Sequence, residues 1–231
     1  MLGPLPEGVT REQLNVVLIT LDTLRADHLG AYGSTDVRTP NLDQLAREGV
    51  VFEQVMTTAP LTLPAHSSIM TGQFPPRHGV RDNGGFFLGP EQTTLAEVLS
   101  AQGFQTGATV GAFVLDSKWG LDQGFEVYQD DFDLTDVKAM SLASVKRPGN
   151  EVVDLALKWM EGVGDQRFFS WLHLYDPHAP YESPEPYRSE YRGHPYRGAI
   201  AFTDAQVCRV LSYLLDRGLA DRTIVIVTAY H

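Results

Sequence analysis

Residues 15–21 read N-V-V-L-I-T-L, an almost wholly apolar run with no polar alternation. Such a run suits a strand covered on both faces, and strands of that kind belong to parallel sheets sandwiched between helices. Residues 104–114, 167–174 and 222–228 are read as further strands, the last two buried on both faces, and residues 50–55 as a short one. Helical patterns separate them. One starts at Thr39-Pro40, carries Leu42, Leu45 and Ala46 at helical spacing and stops at Gly49; others cover 94–102, 150–162 and 198–217, the last closed by Gly218. Strand–helix alternation without an internal repeat predicts an α/β fold: one doubly wound domain, its sheet mostly parallel, with helices on both faces. A chain of 231 residues, 43% of them hydrophobic, has enough material for one sizeable core.

A formal net charge of −11 argues against nucleic acid or an anionic membrane surface as a general partner, so an anionic substrate needs local positive charge or a metal to hold it. The single cysteine, Cys208, excludes an internal disulfide framework and, inside a predicted helix, reads as a small buried thiol. The first residues hold no apolar stretch long enough for a signal peptide or membrane span. The sequence as it stands therefore reads as cytoplasmic, and as periplasmic or exported if its start is cropped.

The first strand ends in Asp22, on the edge where open α/β sheets place ligands, and Arg25, Asp27 and His28 follow directly. Residues 60–80 read P-L-T-L-P-A-H-S-S-I-M-T-G-Q-F-P-P-R-H-G-V. Residues 65–71 suggest a short helix closed by Gly72, with Pro64 at its first position and the Thr62 hydroxyl presented where the helix begins. Unpaired N–H groups and the positive end of the helix dipole would receive an anion there, although a threonine before a helix also serves as an ordinary cap. Ser67 and Ser68 read as packing or helix-bonding hydroxyls. Arg77 and His78, beside a turn, read as ligands or as partners of backbone carbonyls. The strand over 167–174 leads into D-P-H-A-P-Y, which puts Asp176 and His178 at its carboxyl end, facing the Asp22 and Thr62 edge. Asp130, Asp131, Asp133 and Asp136 form a solvated acidic connection without calcium-loop spacing. Residues 183–196, rich in proline and tyrosine, read as a lid or crossing loop, and Tyr213 and Leu214 as an apolar face open to association.

V-L-I-T-L-D-T-L-R-A-D-H-L-G, T-P-N-L-D-Q-L-A-R-E-G-V-V-F, T-L-P-A-H-S-S-I-M-T-G-Q-F-P-P-R-H-G-V, F-F-S-W-L-H-L-Y-D-P-H-A-P-Y and the closing T-I-V-I-V-T-A-Y-H together resemble the amino-terminal part of the sulfatase family, within the alkaline phosphatase-like superfamily. The likeness covers nearly the whole chain. It implies an alkaline phosphatase-like fold, incomplete at its carboxyl end, with residues 1–231 forming a single sulfatase-like domain. It further implies hydrolysis of small-molecule or glycan sulfate or phosphate esters and a divalent cation: calcium, magnesium, manganese or zinc. Asp22, Thr62 and His231 are the implied metal ligands, with Thr62, His66 and His178 in the catalytic roles. Many sulfatases carry a lysine and a histidine after the second signature, to which G-F-Q-T-G-A-T-V-G-A-F is similar; Lys118 is near but out of register. The family's usual nucleophile is a formylglycine made from cysteine or serine in a C/S-x-P-x-R setting. Here Thr62, Pro64 and His66 stand in that frame. Threonine cannot yield the aldehyde, and T-L-P-A-H looks more like the threonine nucleophile of nucleotide pyrophosphatases and phosphoglycerol or phosphoethanolamine transferases. The implied mechanism is in-line attack by Thr62, with His66 on a nonbridging oxygen and His178 at the leaving group. Tyr230 stands where the superfamily places a metal-binding aspartate, and a phenol with an unperturbed pKa near 10 is a poor substitute on a hard cation. Two other functions remain open: transfer of a phosphoryl-linked group or phosphodiester cleavage, and an inactive fragment or pseudoenzyme that only binds.

Overall fold

The computed structural model describes residues 6–132 and 145–230. Strands β1 (Asn15–Leu21), β2 (Gln105–Val110), β3 (Val127–Gln129), β4 (Phe168–Leu174) and β5 (Thr223–Ala229) form one sheet in the order β3-β2-β4-β1-β5, every pairing parallel. The helices are α1 (Pro40–Glu48), α2 (Thr62–Thr71), α3 (Pro75–His78), α4 (Leu95–Ser100), α5 (Gly149–Val163), α6 (Tyr187–Glu190) and α7 (Pro195–Asp216). Among the described residues no helix is long and apolar enough to cross a membrane.

Strand parity explains the double winding. Val17, Ile19 and Leu21 of β1 point to one face, where α5 and α7 contribute Val152, Ala156, Met160, Ile200, Val207 and Val210. Leu18 points to the other, joined by Phe169 and Trp171 of β4, Ala108 and Val110 of β2, and Leu63 and Met70 of α2. The two central strands are thus buried on both sides, and each buried aliphatic side chain adds roughly 1.5–3 kcal/mol. Gly107 of β2 makes the α5 packing possible, because a Cβ there would come 2.5 Å from the Trp159 ring.

Several boundaries and environments differ from expectation. Residues 50–55 form no strand: no strand pairs with them among the described residues, and Phe52 and Val55 stand 68% and 65% exposed. β5 is not buried on both faces, because it is an edge strand whose side chains alternate, leaving Ile224 40% and Ile226 42% exposed. The second strand is shorter than its apolar run, turning after Val110 into a 3-10 turn at Phe113–Leu115. α2 begins at Thr62, so Pro64 is its third residue; lacking an N–H, it is tolerated throughout the first turn. Gly72 closes α2 in the left-handed region, at φ 66°. Cys208 is half-buried, and Leu214 is buried against the sheet by α7. Asp130 accepts the Ser117 N–H, whereas Asp133 and Asp136 lie outside the described residues.

Candidate active site

Parallel register sets Thr20 of β1 beside His173 of β4, both pointing to the α2 face at the carboxyl end of the sheet. Asp22 follows directly and is fully buried. Thr62, the first residue of α2, donates its hydroxyl to Asp22 Oδ2 at 3.4 Å. Tyr230, immediately after β5, also donates to Asp22 Oδ2 and stands 3.4 Å from Thr62 Oγ1. His173 Nε2 lies 3.5 Å from the same carboxylate oxygen. Three strand ends and one helix start therefore converge on a single carboxylate.

His66 lies one turn into α2 and is wholly buried. Its Nδ1 is 2.7 Å from the Thr62 carbonyl oxygen and its Nε2 3.0 Å from Thr20 Oγ1. The Thr20 hydroxyl also accepts the Trp171 indole N–H at 3.0 Å. One hydrogen assignment satisfies all of these groups: Nδ1–H donates to the carbonyl, and the Thr20 hydroxyl donates to Nε2. Burial, then the nearby charge of His173, pushes the His66 pKa down to about 3, so the ring is neutral. Neither ring nitrogen is left to reach a nonbridging ester oxygen, the role expected of His66. The same holds for much of the helix end: Asn83 Oδ1 accepts the Leu63 N–H at 2.9 Å and Pro64 has no N–H, which leaves that of Thr62.

Burial pushes the Asp22 carboxyl up, but hydrogen bonding and charge from His173, the Tyr230 hydroxyl and the charge of His178 outweigh it. The carboxyl is held below the ordinary carboxylate range. Burial and the Asp22 charge raise the Tyr230 phenol well above its usual value, so it is a neutral donor. His178 is reached along a file of rings. His66 and His173 meet edge-to-face at 5.0 Å, His173 and Tyr175 lie 5.9 Å apart, and Tyr175 stacks on His178 at 4.4 Å. His178 Nδ1 bonds the Ala179 carbonyl at 2.6 Å, leaving Nε2 as its outward nitrogen. Asp176 turns elsewhere: its Oδ1 accepts the Gly149 N–H at 3.0 Å at the start of α5. Thr23, next to Asp22, sits at φ 48°, unusual for a β-branched residue. Its hydroxyl bonds the Pro177 carbonyl at 2.7 Å and its carbonyl accepts the Tyr196 hydroxyl at 2.7 Å, tying the His178 loop and α7 to the end of β1. Ser67 bonds the Leu63 carbonyl, and Ser68 bonds His78, so both hydroxyls pack as expected. Arg77 is exposed, and Lys118 lies over the Phe113 ring.

Asp22 Oδ1 and His173 Nδ1 are buried without a hydrogen-bond partner, while His173 Nε2 has only its 3.5 Å approach to Asp22 Oδ2. An unpartnered carboxylate oxygen, with the Thr62 hydroxyl and an imidazole nitrogen at the other oxygen of the same carboxylate, is a donor set that a divalent cation would satisfy in part. Among the described residues no three His, Cys, Asp or Glu side chains gather around it, and His231 lies outside those residues. His173 and Thr20 escaped the sequence reading; their signal was a polar residue at matching positions near the ends of two apolar strands.

The chain is 38% identical over 128 residues to mouse steryl-sulfatase, covering 51% of this chain and 19% of that protein. It is 27% identical over 261 aligned positions to human arylsulfatase A, covering 93% of this chain and 51% of that one. It therefore matches about half or less of the length of these relatives. Among solved structures, the phosphonate monoester hydrolase of Agrobacterium radiobacter superposes with a TM-score of 0.76 at 20% identity, over 94% of this chain and 62% of that one. A protein of the alkaline phosphatase superfamily from Vibrio parahaemolyticus gives 0.71 at 25% identity, over 94% and 54%. The sulfatase family model matches residues 14–231, and with the parallel sheet and the Asp22 site at its carboxyl edge this places the chain in the sulfatase family.

Proposed function

We propose that this chain carries the reacting centre of a metal-dependent hydrolase of sulfate or phosphate esters, with Thr62 as nucleophile. The observation that carries the reading is the Thr62 hydroxyl at the start of α2, 3.4 Å from the ionised Asp22 carboxylate. Thr62 Oγ1 attacks sulfur or phosphorus in line and its proton passes to Asp22 Oδ2, while the bond to the leaving oxygen breaks. His178 gives its Nε2 proton to that oxygen, which departs as the alcohol. Water then attacks the Thr62-bound ester, returning one proton to His178, and Asp22 returns the other to Thr62. When bound by Asp22, Thr62 and His173, with His231 as a further ligand, a divalent cation supplies Lewis-acid charge that lowers the hydroxyl pKa and screens the ester oxygens. His66 is a positioning residue: its Nδ1–H on the Thr62 carbonyl holds the first turn of α2 in place.

A second reading, a protein that binds esters without turning them over, is favoured by the Tyr230 hydroxyl on Asp22 Oδ2, where a neutral phenol competes with a cation. Turnover of paired aryl sulfate and aryl phosphate esters, with Thr62→Ala as control, separates the two. Loss of turnover in the variant supports the nucleophile, unchanged turnover removes it, and absence of turnover in both proteins supports binding alone. Adding an acceptor alcohol tests for transfer through its ester product.

A further inference from the structure

Lys146 stands on an anchored backbone. It pairs antiparallel with Ala112, just beyond β2; the Phe113 N–H donates to the Val145 carbonyl at 3.2 Å and the Arg147 N–H to the Gly111 carbonyl at 2.9 Å. The Arg147 side chain, itself buried, donates to the carbonyls of Val110, Gln129 and Asp131, which straps the segment to the carboxyl ends of β2 and β3. Two residues further on, Gly149 is tied to Asp176. From this base the Lys146 ammonium reaches the loop that carries His178. Its Nζ donates to the Pro180 carbonyl at 3.0 Å and pairs with Glu182 at 2.9 Å, with the lysine side chain only 19% exposed. A charged donor on a carbonyl makes one of the stronger hydrogen bonds available to a loop.

His178 therefore lies between two tethers. Before it, the Thr23 hydroxyl holds the Pro177 carbonyl; after it, Lys146 holds the Pro180 carbonyl. Pro177 and Pro180 have no N–H to give, so fixing the loop falls to its carbonyls. The ring itself lies flat on Tyr175, at 4.4 Å and 15° between planes, and the His178 N–H donates to the Tyr175 carbonyl at 3.0 Å. Stacking alone leaves a ring free to slide across its neighbour, whereas carbonyls pinned on both sides do not. An ion pair with an exposed partner such as Glu182 adds little to global stability, so the consequence of Lys146 is where the loop stands rather than whether the chain folds.

We propose that Lys146 is a positioning residue for His178: with Thr23 it clamps the loop on both sides of the ring and sets where the outward Nε2 stands relative to Asp22 and Thr62. Its part in catalysis rests on the leaving-group role proposed above for His178; the clamp itself does not. Proton transfer requires hydrogen-bond reach, and a displacement of about 1 Å can cost roughly 10²-fold in rate. The test compares the full chain with Lys146→Met, which keeps the apolar stem and removes the charge and donors, and with Lys146→Arg, which keeps both. Amide hydrogen exchange at His178, followed by NMR with the β4 amides as internal reference, should speed up by about tenfold or more in Lys146→Met while β4 is unchanged. In turnover, Lys146→Met should lower kcat for an alkyl ester by about tenfold or more and for a nitrophenyl ester by less than about threefold, with KM unchanged in both. Lys146→Arg should recover both readouts. Unchanged exchange at His178, an equal rise in β4, equal kcat losses for the two esters, or no recovery in Lys146→Arg each overturns the proposal. Failure of the leaving-group role appears separately, as equal losses for the two esters in His178→Ala, and the exchange measurement then still decides the clamp.

Discussion

Thr20→Val tests the buried network that holds the nucleophile. The exchange preserves shape and β-branching and removes one hydroxyl, the group that accepts the Trp171 indole N–H and donates to His66 Nε2. Both partners lie in the core, where water does not reach them. Each buried group left unpaired costs roughly 1–3 kcal/mol, so the variant should lose about 2–6 kcal/mol of stability. For a chain of this size 1 kcal/mol moves Tm by about 2–4 °C, so the loss should lower Tm by at least about 4 °C, with a matching fall in the urea midpoint at constant m-value. A second readout is local: freed at Nε2, His66 no longer fixes the Thr62 carbonyl, so kcat for any ester should fall. A Tm change below about 2 °C would refute the hydrogen assignment in which Thr20 serves both partners.

The remaining predictions address the titrating groups and the site edge. His66 has its pKa depressed by burial to about 3, so between pH 6.5 and 3 the unfolded chain takes up a proton that the folded chain refuses; its contribution is present at neutral pH and is lost as pH falls, at about 1.4 kcal/mol per pH unit. Asp176 and Asp204, raised by burial, act with the opposite sign, so the comparison is with His66→Gln, whose denaturation curves between pH 5 and 6.5 should lack that slope; an identical slope contradicts a neutral buried ring. His178→Ala should cut turnover of alkyl esters by about 10²-fold and of nitrophenyl esters far less, because only the poor leaving group needs its proton; equal losses would remove that role. Tyr230→Asp, which places a second carboxylate at Asp22, should tighten manganese binding by about tenfold or more in titration, and no change would argue against a cation between Asp22 and Thr62.

Much of the sheet was legible because burial on both faces leaves an apolar run that nothing else explains, as at residues 15–21 and 168–174. The strand expected at residues 50–55 failed for the converse reason: its composition suits a strand, but no partner strand lies beside it among the described residues. Asp22 and Thr62 could be placed together, since one follows a central strand and the other begins a short buried helix. His66 was found, but the bonds of both its ring nitrogens were not legible, because which way an imidazole faces depends on Thr20, 46 positions away. His173 was hidden inside an apolar strand, where a lone histidine gives no local signal, and its importance comes from register with Thr20. Asp176 looked like a site residue by position, yet the start of α5 claims it. The Tyr230 substitution was visible in sequence, but its hydroxyl bond to Asp22 depends on β5 pairing beside β1.

The central claim is that Thr62 becomes covalently esterified during turnover. Acid-quenching the protein with an aryl sulfate and, separately, an aryl phosphate, followed by mass spectrometry of the peptide spanning residues 60–80, tests it directly. A mass increase of one sulfuryl or phosphoryl group on Thr62, absent in Thr62→Ala, is the predicted result; turnover with that peptide unmodified, or with the group on another residue, would contradict it.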